Sequence, residues 1–290
     1  MANYSAYRIL LSQPDQLQIG RERRSKTQLL NDTIKELSGE LKVSFFRGEK
    51  RYIFYYVRRI IGTIHLFELA REDTVREPKE GDRGTEEVEL TITPFIYFII
   101  DVTKQVVLIQ KKTSVFHDTD SAANRIAEFF ENQLSNDLVI AQLHPIVRAD
   151  NFWEEIKEAK EVHSLELDIA PPNFFGTRFK SNIDIKAAHE ETNFTKFKIY
   201  LSNKYGDLRI AQENFQDLIQ TLASGAGDYV ADLVDKFGRR ITLTNATRKR
   251  SISLPDNLKE IDGEKLRIDI DDIDETNNAS SNEIKPDSDQ

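Results

Sequence analysis

Apolar positions in this chain change their spacing part-way along it. From Leu41 to Gln110 they gather in short blocks rich in aromatic and β-branched residues, which suit a packed, pleated surface. The blocks Leu41 to Phe46, Tyr52 to Val57, Ile60 to Leu69, Glu87 to Thr93, Phe95 to Asp101 and Val106 to Gln110 predict strands. Turns fall at Gly48-Glu49 and Thr103-Lys104. Tyr4 to Leu11 predicts an opening strand. Leu29, Leu30, Ile34 and Leu37 share one face of a predicted helix that Ser25 can cap and Gly39 stops. Residues 72–86, rich in Glu, Lys, Asp and Gly with Pro78, predict an exposed loop.

Beyond Gln110 helical spacing enters. Ile126, Phe129, Phe130 and Leu134 predict a helix, Leu138 to Leu143 a strand, and Trp153 with Ile156 a short helix behind a capping box at Asn151 and Glu154. Val162 to Ile169 alternates as a half-buried strand. Pro171-Pro172 breaks the chain, and Ser181 with Asp184 can start a further helix ending near Asn193. Phe194 to Leu201 predicts a strand. Phe215, Leu218, Ile219 and Leu222 stripe a helix ended by Gly225 and Gly227. Tyr229 to Val234 and Arg240 to Leu243 form a hairpin around Lys236-Phe237-Gly238. Strands first and interleaved helices later point to an α+β fold of largely antiparallel sheet. The expected division is a β-rich domain over 1–118, a mixed domain over 119–255 and an acidic disordered tail over 256–290.

Charge gives the tail its weight. Residues 256–290 hold twelve Asp/Glu and four Lys/Arg, a net −8 against −9 for all 290 residues, so residues 1–255 carry only −1. Cysteine is absent, which removes disulfides, thiolate chemistry and cysteine-based zinc sites. No apolar run approaches the ~18 residues of a membrane-spanning helix, and Met1-Ala2-Asn3-Tyr4 opens no secretory signal. The expectation is a cytoplasmic protein without a membrane span.

Catalytic and ligand motifs are incomplete. The five histidines, His65, His117, His144, His163 and His189, include no pair spaced for two ligands on one helical face. Gly225-Ala226-Gly227 follows a helix rather than a strand and lacks its third glycine, so no dinucleotide turn is expected. Asp269 to Asp274 has Asp274 where a calcium loop needs glycine and Ser280 where it needs glutamate. Asp101 followed by Gln110-Lys111-Lys112 resembles a degenerate metal-dependent nuclease core. On a hairpin the two ends of that set stand about 15 Å apart, too far to share one ion. Neither a cofactor nor a metal nor a catalytic residue is assigned.

Basic groups at turns are the functional lead, because side chains there reach phosphates without disturbing a core. They are Arg21, Arg23, Arg24 and Lys26 before the first helix, Arg47, Lys50 and Arg51 around the first hairpin turn, and Arg239, Arg240, Arg248, Lys249 and Arg250 near the end of the body. Arg58-Arg59 is read as a further turn. The first and last groups are expected to converge on one face. Charges at turns also occur as plain solvated surface, and Tyr52, Phe54, Tyr55 and Tyr56 read as core rather than as base-stacking groups.

The segments PFIYFIIDVTKQVVLIQ, KYGDLRI and YVADLVDKFGRRITL, in that order, resemble the phage-exclusion and phage-defence family that includes RexA of phage lambda and KwaB of the Kiwa system. The likeness spans about residues 90–250. It implies a non-catalytic, oligomeric protein that binds DNA in phage defence. The leading expectation is therefore a homo-oligomer that binds duplex DNA. The alternatives are a divergent metal-dependent nuclease using Asp101, and an interaction subunit whose acidic tail docks a basic partner protein.

Overall fold

The computed structural model describes residues 1–12, 24–81, 84–170, 194 and 196–275. The helix expected from Ser181, together with Arg21 and Arg23, lies outside those residues. The fold is α+β, and each of its strand pairings is antiparallel.

The larger sheet is built from β1 (Ala2–Ser12), β2 (Lys42–Arg47), β3 (Lys50–Ile61), β4 (Ile64–Arg71), β7 (Phe95–Asp101), β8 (Val106–Gln110), β9 (Ile140–Pro145) and β14 (Ser251–Leu254). Its order is β14-β1-β8-β7-β4-β3-β2, with β9 added to β1. Strand β7 is apolar at nearly every position because both faces are covered, and alternate side chains serve the two faces. Ile96, Phe98 and Ile100 point to α1 (Lys26–Glu40) and α2 (Thr119–Gln133), where they meet Phe54, Phe67, Ile126 and Phe129. Tyr97 and Ile99 point the other way, to α5 (Gly263–Glu275), with Tyr4, Ile64, Leu66 and Leu108.

The second sheet has the order β11-β10-β12-β13, from β10 (Glu161–Ile169), β11 (Phe197–Ser202), β12 (Gly227–Val234) and β13 (Arg240–Thr244). Its apolar face, with Leu165, Leu167, Tyr229 and Leu233, packs on α3 (Ala149–Glu158) and α4 (Gln212–Thr221) through Phe152, Trp153, Leu218 and Ile219. A two-stranded ribbon, β5 (Asp73–Gly81) with β6 (Gly84–Ile92), stands apart from both sheets.

Several expectations change. Residues 72–86 are not a loop: β5 is the partner strand of β6, exposed on both sides, which hid any core-facing period. Arg58 and Arg59 lie inside β3, and the turn comes later, at Gly62. Ser25 caps α1 as expected, its hydroxyl accepting from the Gln28 amide. The helix nevertheless runs through Gly39, and Leu41 takes the left-handed C-cap at φ 60°. Helix α3 starts two residues before Asn151, so that residue is no cap. The division at 118/119 does not separate the two sheets, because α2, β9 and β14 belong with the larger one.

The largest correction concerns the tail. Residues 256–275 are folded: Leu258, Leu266, Ile270 and Ile273 are buried against the larger sheet. Only residues 276–290 lie outside the described part. Among the described residues no helix is long and apolar enough to cross a membrane.

Candidate nucleic-acid interface

The turn between β12 and β13 is held by one carboxylate. Asp235 Oδ1 accepts from the amides of Phe237 and Arg239, both at 2.9 Å, and Oδ2 accepts from Arg239 Nε at 2.8 Å. The Arg239 amide bond is the chief cause that holds the Asp235 carboxyl below its usual range. Gly238 supplies the positive φ of 82° that the tight turn needs. The outcome is Phe237 at a hairpin tip, 73% exposed. Lys236 Nζ and Arg239 Cζ stand 5.7 and 5.2 Å from its ring centre. Such cation–ring contacts keep the charges beside an aromatic face that remains open.

Carboxylates on α3 flank the same tip. Lys236 pairs with Glu158 at 2.9 Å, and Arg248 pairs with Glu155. Arg240 is exposed and makes no ion pair or side-chain hydrogen bond among the described residues. A cavity of about 290 Å³ under the hairpin is lined by Leu233, Ile241, Phe237, Arg239 and Arg248.

A second tip repeats the chemistry. At the β2–β3 turn Phe46 is 69% exposed, Gly48 has φ 58°, and Arg47, Lys50 and Arg51 follow. Each cation there is paired: Arg47 with Glu128 at 3.0 Å, Lys50 with Asp73 at 3.7 Å, Arg51 with Glu72 at 3.4 Å. A third turn, Lys204-Tyr205-Gly206, has Tyr205 77% exposed under Lys204, with Gly206 at φ 78°. Tyr52, Phe54, Tyr55 and Tyr56 are expected in the core rather than as stacking rings. Tyr52 and Phe54 are buried, and Tyr55 and Tyr56 are half-buried. The aromatic-glycine turns beside cations were the available signal.

The other basic groups lie on separate elements. Arg24 pairs with Asp32 at 3.1 Å and with Asp137, and Lys26 begins α1. The run 248–250 diverges. Arg248 reaches α3. Lys249 is largely covered, against Asp120 at 2.6 Å and the Tyr7 ring. Arg250 is largely covered by α5, donating to Asp272 at 2.7 Å and to the carbonyls of Asp272 and Ile273. Lys249 and Arg250 thus join layers of the fold. This pairing is the physical form of the near-neutral body.

The acid-base candidates are structural in their contacts. Asp101 is buried, and its Oδ1 accepts from the Thr63 hydroxyl (3.0 Å) and the amides of Thr103 (2.9 Å) and Lys104 (3.2 Å). Gln110 Oε1 accepts from the Tyr97 amide at the far end of the hairpin. Asp101→Ala strands three donors, so it is expected to destabilise the protein by about 1–3 kcal/mol. Urea unfolding reads that loss. Nucleic-acid affinity of the folded fraction is expected to stay unchanged, and a selective loss of affinity would return Asp101 to the functional site. His144 donates from Nδ1 to Asp228 at 2.9 Å where the two sheets meet. Burial pushes the Asp228 carboxyl up, but the bond to and charge of His144, the Asn245 bond and the Lys196 charge together outweigh it, and the pKa is lowered. Among the described residues no three His, Asp or Glu side chains gather to hold a metal ion.

A cleft of about 720 Å³ lies between α3 and residues 206–212, with Trp153, Ile156, Leu208 and Ile210 in its wall and both charge signs at its rim. No protein-family model matches the chain, and a comparison with curated proteins finds no match.

Proposed function

We propose that this chain is a non-catalytic, cytoplasmic nucleic-acid-binding protein of phage defence that engages duplex DNA as a homo-oligomer. The observation that carries the binding is Phe237, held in the open at a rigid hairpin tip between Lys236, Arg239 and the unpaired Arg240. An exposed ring flanked by cations suits a strand of nucleic acid: phosphates meet the charges, and a base step or groove wall meets the ring. The defence role rests on the resemblance of residues 90–250 alone.

Intramolecular pairs do not forbid phosphate contact. Exposed ion pairs contribute about 0–1 kcal/mol, and phosphates can replace carboxylates at Arg47, Lys50, Arg51 and Arg239. Lys249 and Arg250 are set aside from the interface because their own side chains are largely covered, at 11% and 10% exposed. Arg21 and Arg23 stay in the proposal on sequence alone.

The test is a titration of labelled duplex against the full chain at several salt concentrations, with and without Mg²⁺. Phe237→Ala is expected to weaken binding about 5- to 100-fold, the range of a lost stacking contact of about 1–3 kcal/mol. Arg239→Ala with Arg240→Ala is expected to lower the slope of log K against log salt by about 2. Wild-type affinity in both variants removes the hairpin from the interface. Cleavage that depends on Mg²⁺ replaces the reading with the nuclease alternative.

A further inference from the structure

The β5–β6 ribbon has no place in the fold of its own chain. It follows β4 after a single residue and returns to β7 through Pro94, so it prolongs that strand pair beyond the larger sheet. Nine residues a side make it about 30 Å long. Its strands pair only with each other. Among the described residues, the side chains of 74–91 form no hydrogen bond or ion pair with the body, and the one such contact is Arg76 with Glu89 inside the ribbon. A two-stranded ribbon alone in water is at best marginally stable.

Its two faces differ. Register places Val75 opposite Leu90, Glu77 opposite Val88 and Asp73 opposite Ile92, so Val75, Val88, Leu90 and Ile92 share one face. All four remain partly open to solvent. The opposite face carries Thr74, Thr91, Arg76 and Glu89. The ribbon is acidic as well. Residues 73–92 hold seven acidic and three basic residues, a net −4 out of the −9 of the whole chain.

We propose that this ribbon is an arm that embraces a second copy of the chain. One face of about 300 Å², covered by an equal area on its partner, buries about 600 Å² in total, too little for a specific interface. Two arms exchanged across a two-fold axis double that to about 1,200 Å², where specific interfaces begin. A partner of another kind gains only the single contact. Pro78 on β5 limits strand addition along that edge, so the apolar face rather than edge pairing makes the contact. The arm does not depend on the nucleic-acid reading, because the exchange is complete without DNA.

Sedimentation velocity of the full chain at micromolar concentration, with no nucleic acid present, tests the arm. The wild type is expected to be a dimer. A variant with residues 74–91 replaced by Asn-Gly joins the register partners Asp73 and Ile92 directly. It is expected to be a monomer with an unchanged melting temperature, because no arm side chain enters either core. Val75→Lys with Leu90→Lys is expected to weaken the dimer at least about tenfold while leaving the backbone intact. A monomeric wild type overturns the proposal, and so does an armless chain that remains dimeric.

Discussion

Cutting the chain after Pro255 is expected to abolish its fold, whereas cutting after Glu275 is expected to leave the melting temperature within about 2 °C. Leu258, Leu266, Ile270 and Ile273 are buried almost completely beneath the larger sheet. Returning each to water costs about 1.5–3 kcal/mol. Together that rivals the ~5–15 kcal/mol that holds a typical domain folded. The cut also uncovers Tyr4, Leu66, Ile99 and Leu108, which α5 covers. It also strips Arg8 of Asp274 and Arg250 of Asp272. Circular-dichroism melts of the three chains decide the matter. Cooperative melting of residues 1–255 at the full-length temperature would sink the assignment of α5 to the core.

That helix also explains where the sequence misled. Charge averaged over 256–290 describes a solvated tail, and an average is blind to three apolar residues at helical spacing. Leu266, Ile270 and Ile273 follow the i, i+4, i+7 stripe of a surface-seated helix. Asp271, Asp272 and Asp274 sit near its C-terminal end, where the helix dipole repels anions. Arg8, Lys104 and Arg250 from elsewhere in the fold offset that repulsion, and a local reading has no access to them. By contrast, β2, β3, β7 and β8 were legible because burial on both faces concentrates aromatic and β-branched residues. The basic groups were legible by type and not by partner. Arg47 meets Glu128 from 81 positions away, and Lys249 meets Asp120 from 129 positions away. The Lys236-Phe237-Gly238 turn was legible as a turn, and its open ring became a site only once the Asp235 cap fixed it there.

Gly227→Ala is expected to be among the most destabilising single substitutions, at about 3–5 kcal/mol or outright loss of folding. The glycine pair at 225 and 227 reads in sequence as a helix end. In the structure the helical turn after α4 closes onto β12, and Gly227 holds φ 148°, a conformation that L side chains rarely adopt. A β-carbon there would lie 2.1 Å from the Asp168 carbonyl oxygen and 2.9 Å from Leu222 Cδ2. The Asp168 oxygen belongs to the backbone of β10, the strand that pairs with β12, so it cannot yield without breaking the sheet register. The same residue anchors its surroundings, since Asn245 donates to the Gly227 carbonyl at 3.0 Å and to Asp228 at 2.9 Å. Gly62→Ala gives the cost of a positive φ with no neighbour in the way. Gly62 also has positive φ, at 50°, but a β-carbon there meets nothing within 4 Å. Its substitution is expected to cost about 1 kcal/mol, the left-handed penalty alone. Urea unfolding of both variants compares the two directly. Equal losses would mean that backbone conformation, and not the approach of β10, makes glycine necessary at 227.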